Sequence, residues 1–205
     1  MTSEASMVSR IPVTIIAGFL GSGKTTLLNH IIASNRGIKI GVIVNDFGEI
    51  DIDSNLIVSS SDQILEIKNG CICCSNNGDL RATVSKLLKD NAELEYIIIE
   101  STGIGDPLPI VKTFMRPEFI SQARVDSIIT VVDAENIKQT LPDIGVIQNQ
   151  IKFADFILLN KCDRLEPQSI NAVEAFVREF NNECKILKTV KCSVPLDVIL
   201  GARAH

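Results

Sequence analysis

Three of the chain's six cysteines fall within four consecutive positions, Cys71, Cys73 and Cys74 of "NGCICCSNN", while Cys162, Cys184 and Cys192 lie apart from them. Thiolates are soft ligands that suit Zn²⁺ or Cu(I) and also accept Co²⁺ or Ni²⁺. Structural zinc sites usually draw on two separated cysteine pairs, and no second pair follows here. A closed four-ligand site would therefore need an outside donor, such as Glu49, water or a partner subunit. That incompleteness fits a site built to release its metal. Two other uses of the thiols compete with this one: small buried side chains in a core, and a redox switch.

A second concentration of chemistry stands at "GFLGSGKTT", Gly18 to Thr26. It fits G-x-x-x-x-G-K-S/T between an apolar run and a helical pattern, the context a phosphate-binding loop requires. Gly21, Ser22 and Gly23 let backbone N–H groups curl around β- and γ-phosphates. The helix that follows points its positive end at them, and Lys24 neutralises charge. The Thr25 hydroxyl can ligate Mg²⁺, and Thr26 closes the motif.

Downstream, "IIIESTG" (Ile97 to Gly103) ends an apolar run on an acidic residue. Glu100 is expected to hold the nucleotide's Mg²⁺ directly or through water. Gly103 is expected to bring its N–H to the γ-phosphate, a hydrogen bond lost on hydrolysis. "NDFGEID" (Asn45 to Asp51) carries Asp46, the candidate for orienting the attacking water or Mg²⁺, since phosphoryl transfer depends on positioning and charge neutralisation. "LNKCD" (Leu159 to Asp163) supplies a base-reading element. The Asp163 carboxylate can accept from both N1–H and the N2 amine of guanine, whereas adenine offers no such donors there. A polar site left unpaired by the wrong base discriminates strongly, so GTP is expected over ATP. Asn160 would brace the loop and the Lys161 stem would lie along the base.

These residues need a scaffold that brings strand ends together, and the chain's alternation provides one. "VTIIAGFL" (13–20), "KIGVIVN" (39–45), "EYIIIE" (95–100), "SIITVVD" (127–133) and "DFILLN" (155–160) are strand-length runs, apolar on both faces as buried parallel strands are. Between them, Leu27, Leu28, Ile31 and Ile32, then Leu80, Val84, Leu87 and Leu88, then Ile170, Val173, Val177 and Phe180 recur at helical spacing. The expected fold class is α/β, a P-loop NTPase with a mostly parallel sheet and helices on both faces, whose ligands bind at the carboxyl ends of the strands. Residues 1–10 read as a flexible lead-in and 11–205 as a single nucleotide-binding domain with no second domain after it.

Composition excludes other classes. A net charge of −5 without a Lys/Arg run argues against a nucleic-acid partner. No apolar run approaches the ~20 residues of a membrane span, and "MTSEASMVSR" lacks a signal peptide's apolar centre, so a cytoplasmic protein is expected. In that reducing compartment clustered cysteines are metal ligands or reactive thiols more often than disulfides.

The ordered set "GFLGSGKTT", "NDFGE", "NGCICC", "ESTG", "VVDA" and "FADFILLNKCD" resembles the GTPase domain of the CobW-type metallochaperone family, relatives of the urease and hydrogenase nickel-insertion GTPases. The resemblance runs from about Val13 to Gly201. It implies a GTP-hydrolysing chaperone, cycling between GTP and GDP, that binds Zn²⁺ or Co²⁺ ahead of Ni²⁺ through Cys71, Cys73 and Cys74, with Glu49 as auxiliary ligand. It further implies delivery of metal, or help in metallocofactor insertion, to a client protein, and a homodimer dependent on nucleotide or metal. The chain departs from the pattern in two places: it stops at "VPLDVILGARAH" with only His30 and His205 as histidines, and Val44 stands where some relatives carry an acidic residue. Asp133 of "VVDA" reads as a strand-end cap, and Cys162, Cys184 and Cys192 as incidental thiols.

Two alternatives stay open at this stage. One is a regulatory GTPase whose cysteines stabilise a loop or respond to redox state; the other is a client-dependent factor that reactivates a cofactor-bearing enzyme. The chaperone reading carries a coupling expectation that they lack: GTP and metal must tighten each other's binding by the same factor.

Overall fold

The computed structural model describes residues 10–35, 37–44, 57–61, 64–67, 71–75, 79–140 and 145–200, with the backbone alone between 57 and 75 and at 139–140. Among these residues, one sheet of nine strands runs in the order β3-β4-β5-β2-β6-β1-β7-β8-β9. The strands are β1 (Ile11–Ala17), β2 (Ile40–Val44), β3 (Ile57–Ser61), β4 (Ile64–Ile67), β5 (Cys71–Ser75), β6 (Tyr96–Glu100), β7 (Ala123–Asp133), β8 (Phe156–Asn160) and β9 (Lys185–Lys188). From β5 to β9 every neighbouring pair is parallel, whereas β3–β4 and β4–β5 are antiparallel.

The α/β expectation holds, and the burial pattern gives its reason. Every residue of β2, β6 and β8 is buried, as a central parallel strand covered on both faces demands. Alternate residues feed opposite cores. Ile16, Val42, Ile98, Val131 and Leu158 pack with Leu27, Leu28, Ile31 and Ile32 of α1 (Lys24–Ser34). Ile15, Ile43, Ile97 and Ile99 face the other way, onto Val84 and Leu87 of α2 (Leu80–Asp90) and Ile110 and Phe114 of α3 (Leu108–Phe114). Phe119 of α4 (Pro117–Ile120) joins that second core. On the same side, Ile157 and Leu159 pack with α5 (Ile137–Thr140), α6 (Gly145–Lys152) and α7 (Pro167–Arg178). The last helix, α8 (Leu196–Ile199), joins the α1 side through Ile199.

The boundaries differ from the sequence expectation where backbone chemistry intervenes. β1 stops at Ala17 because Gly18 turns to φ +140°, so "GFL" is loop and not strand. β7 starts four residues earlier than expected, at Ala123, with a register shift opposite Val13/Thr14 that passes over the buried, polar Asp126. The Cys-bearing segment is a strand, β5, inserted beside β2 and continued outward by an antiparallel β4–β3 ribbon.

Candidate functional site

The loop from Gly18 to Gly23 joins β1 to α1 at the carboxyl end of the sheet. A Cβ at Gly18 would lie 2.3 Å from the Val131 carbonyl oxygen of β7, so the loop can lie this close to the sheet only without a side chain there. Gly23 caps α1 with φ +116°, and a Cβ on it would lie 2.5 Å from Asn160 Nδ2. Lys24 is buried, with Nζ 3.4 Å from the Phe19 carbonyl oxygen, so its stem is wrapped by the loop it starts from. Gly21, Thr25 and Thr26 are exposed at the start of α1, where unpaired N–H groups and the helix dipole favour an anion.

Thr25 Oγ1 donates to Glu100 Oε1 at 2.9 Å. Glu100 is 1% exposed, so it is not the solvated strand-end carboxylate its position also allows. A hydroxyl and a carboxylate touching beside a phosphate loop form the hard oxygen set that Mg²⁺ prefers, and the residues therefore fit that ion.

The "LNKCD" motif is built on the end of β8. Asn160 is buried and makes three bonds: Nδ2 donates to the Ser22 carbonyl oxygen at 2.9 Å, and Oδ1 accepts from Cys192 N–H at 2.9 Å and from Thr189 Oγ1 at 3.3 Å. Lys161 is left-handed, φ 63°, and its ammonium pairs with Asp133 Oδ2 at 2.8 Å. Asp133 also accepts from the Glu135 N–H and from Asn136 Nδ2. Burial pushes its carboxyl up, but the Lys161 hydrogen bond, the Asn136 and Glu135 bonds and the Lys161 charge outweigh that and hold it below the usual range. The strand-end cap expected of Asp133 is present, and sequence reasoning missed its second job as counter-ion to Lys161. Asp163, in a 3₁₀ turn over Cys162–Arg164, is exposed and open to a base.

The segment after β6 lies against the phosphate loop. A Cβ at Gly103 would fall 2.6 Å from the Leu20 side chain and 2.8 Å from the Leu20 nitrogen, so Gly103 marks a close approach of the two loops. Gln150 of α6, fully buried, donates from Nε2 to the Gly105 carbonyl oxygen at 2.8 Å and lies 3.5 Å from that of Gly103. Nothing in the local sequence around Gln150, Thr189 or Cys192 signals these contacts.

The three clustered cysteines lie on β5, and its register ties them to the rest. Cys74 pairs with Ile43 of β2, which pairs with Ile99 of β6; one row further, Ser75, Val44, Glu100 and Ile16 stand side by side. At about 4.8 Å per strand, the end of the cysteine strand is about 10 Å across the sheet from the backbone of Glu100. Asp46 and Glu49 lie outside the described residues, as do the side chains of Cys71, Cys73 and Cys74. Among the described residues no three His, Cys, Asp or Glu side chains cluster as a metal site, and no helix is long and apolar enough to cross a membrane.

The other thiols are quiet. Cys184 and Cys192 are buried and Cys162 half-buried, all three free. Burial pushes each thiol up, that of Cys192 to about 12.

The model of the CobW/HypB/UreG nucleotide-binding domain matches residues 12–188. The chain is 36% identical over 230 residues to zinc-regulated GTPase metalloprotein activator 1 of Dictyostelium discoideum, covering 94% of this chain and 48% of that one. It is 42% identical over 158 residues to the zinc chaperone YjiA of Escherichia coli, covering 75% and 50%. The chain thus spans about half the length of these curated relatives. Among solved structures, Zn(II)-bound YjiA GTPase from E. coli superposes with a TM-score of 0.76 at 33% identity, over 95% of this chain and 62% of that one. A nickel complex of HypB from Helicobacter pylori, at 15% identity and a TM-score of 0.54 over 89% of this chain and 80% of that one, shares the fold alone.

Proposed function

The chain belongs to the CobW/HypB/UreG nucleotide-binding domain family, and from that premise we propose that it is the GTP-hydrolysing module of a zinc chaperone. It binds GTP with Mg²⁺, holds Zn²⁺ at Cys71, Cys73 and Cys74, and passes the metal to a client metalloprotein in the cytosol. Co²⁺ would fit the same thiolates. Glu49, or a second copy of the chain, is the source of the fourth ligand.

The observation that carries the reading is the row of paired residues Ser75, Val44, Glu100 and Ile16. It sets the end of the cysteine strand two strands from the carboxylate beside Thr25, with β2 between them, and Asp46 follows within two residues of that β2 end. A segment rearranged by the γ-phosphate at Asn45 to Asp51 would act on the metal strand through its direct neighbour.

In this reading the loop N–H groups and Lys24 bind the phosphates, and Asp163 reads guanine while Asn160 holds the two loops in register. Thr25 and Glu100 hold Mg²⁺, which when bound neutralises charge on the transferred phosphoryl group. Asp46 orients the attacking water, and the Gly103 N–H binds the γ-phosphate and loses that contact on hydrolysis.

The test is Zn²⁺ affinity by competition with a chelating indicator, in GDP and in a non-hydrolysable GTP analogue, on the wild type and Cys73→Ser. Affinity about tenfold or more higher with the analogue, collapsing in the variant, is the expected result. Weak affinity identical in every nucleotide state would remove the chaperone reading.

A further inference from the structure

We infer that Gln150 is a positioning residue for GTP turnover, a latch by which α6 sets the loop between Glu100 and Asp106. The inference rests on the GTPase reading of that loop. α6 is anchored first, since Thr130 Oγ1 of β7 donates to the Gln150 backbone carbonyl at 2.6 Å. From that fixed point two neighbouring side chains reach the loop. Gln150 Nε2 serves the carbonyls of Gly103 and Gly105, and Asn149 Nδ2 donates to Asp106 Oδ2 at 3.0 Å. Asp106 Oδ1 in turn accepts from the Leu108 N–H at the start of α3.

The geometry of the peptide unit gives these contacts a direction. In a planar trans peptide the N–H points opposite to the carbonyl. Pinning the Gly103 carbonyl toward α6 aims the Ile104 N–H away from it, and pinning Gly105 does the same for Asp106. The N–H groups of a loop that lies against Leu20 of the phosphate loop are thereby fixed from behind.

Gln150 Oε1 is buried and has no hydrogen-bond partner among the described residues. A buried acceptor without a partner counts against the amide while its bonds to the two loop carbonyls count for it, so an apolar side chain of the same length would change stability little. What an apolar side chain cannot do is hold two loop carbonyls.

The experiment uses the whole chain as wild type, Gln150→Met and Asn149→Leu, and reads thermal midpoint, affinities for fluorescent GDP and a fluorescent non-hydrolysable GTP analogue, and KM and kcat for GTP. Gln150→Met keeps length and volume while removing both ends of the amide. The expected result is a midpoint within about 4 °C of wild type, GDP affinity and KM within about twofold, and kcat lowered at least tenfold. The preference for the analogue over GDP shrinks about fivefold. Asn149→Leu, which cuts the second strut, moves kcat in the same direction by a smaller factor. Unchanged kcat and nucleotide preference in both variants would overturn the latch, as would a parallel fall of midpoint, GDP affinity and kcat. A wild type that neither hydrolyses GTP nor distinguishes the analogue from GDP would sink the GTPase reading itself, and the latch with it.

Discussion

Asn160 Nδ2 donates to the carbonyl oxygen of Ser22 at 2.9 Å across a separation of 138 residues, and its Oδ1 accepts the Cys192 N–H. One side chain thus joins the phosphate loop, the "LNKCD" motif and the segment after β9.

Changing Asn160 to Ala leaves the Ser22 carbonyl and the Cys192 N–H buried without this partner. The expected loss is about 2–4 kcal/mol of stability, with GDP and GTP affinities falling together. Urea unfolding and titration of a fluorescent nucleotide check it; a nucleotide effect with full stability would mean that Asn160 touches the base and braces nothing.

Gly23→Ala places a Cβ in a left-handed backbone and against Asn160 Nδ2. Nucleotide affinity should drop at least about tenfold, because the loop must retreat from β8 to make room. Gly37→Ala makes the control: Gly37 is also left-handed, at φ +97°, but a Cβ there meets nothing within 4 Å. Equal losses in the two variants would show that backbone strain, and not contact with Asn160, decides the outcome.

Glu100→Gln keeps the shape of the Thr25 contact and removes the charge. The expected outcome is GTP binding within a fewfold of wild type and turnover reduced by about two orders of magnitude, with a higher Mg²⁺ concentration needed for half-maximal rate. Steady-state rates over a Mg²⁺ series measure this.

Asp133 supplies a pH dependence whose sign follows from its lowered carboxyl. A carboxyl held below its unfolded value adds stability that is present above the unfolded value of 3.8 and is lost as pH falls through the lower folded one. The urea midpoint of the wild type should therefore fall through that acid range by more than that of Asp133→Asn, while near neutrality the variant is the weaker of the two. Parallel pH profiles would dismiss the Lys161 pair as a source of stability.

Burial that raises the thiols of Cys162, Cys184 and Cys192 suppresses their thiolate forms near neutrality. Maleimide labelling of the native, metal-free chain at pH 7.5 should show no fast-reacting thiol once Cys71, Cys73 and Cys74 are all changed to Ser. A fast thiol surviving in that variant would contradict the burial.

The parts of the site that were legible in the sequence are those written contiguously. "GFLGSGKTT", "ESTG" and "LNKCD" each carry several functional groups within a few residues, and the strand before each motif announced itself by β-branched runs apolar on both faces. The rest depends on tertiary placement. Gln150 meets Gly105 from 45 residues away, and Cys192 meets Asn160 from 32, with no local pattern to mark either. β3 escaped because "IVSSS" lacks the apolar content of the central strands, and β5 because a run of cysteines reads as a ligand cluster before it reads as a strand. The early start of β7 was hidden by Arg124 and Asp126, polar residues that pair with each other in the sheet.

If the chain hands metal on as proposed, the antiparallel ribbon outside β5 constrains how a recipient protein would approach. With β2 on one side and β4 on the other, the cysteine strand has neighbours along both of its hydrogen-bonding edges. A recipient cannot extend the sheet by docking a strand of its own directly on the thiols, as many peptide-recognition modules do. Among the described residues the sheet ends instead at β3 and at the four-residue β9, which begins and ends on a lysine. On the proposed function, ligand exchange with a recipient would come over a face of β5 or past its ends, where an incoming thiolate or imidazole could displace one donor at a time.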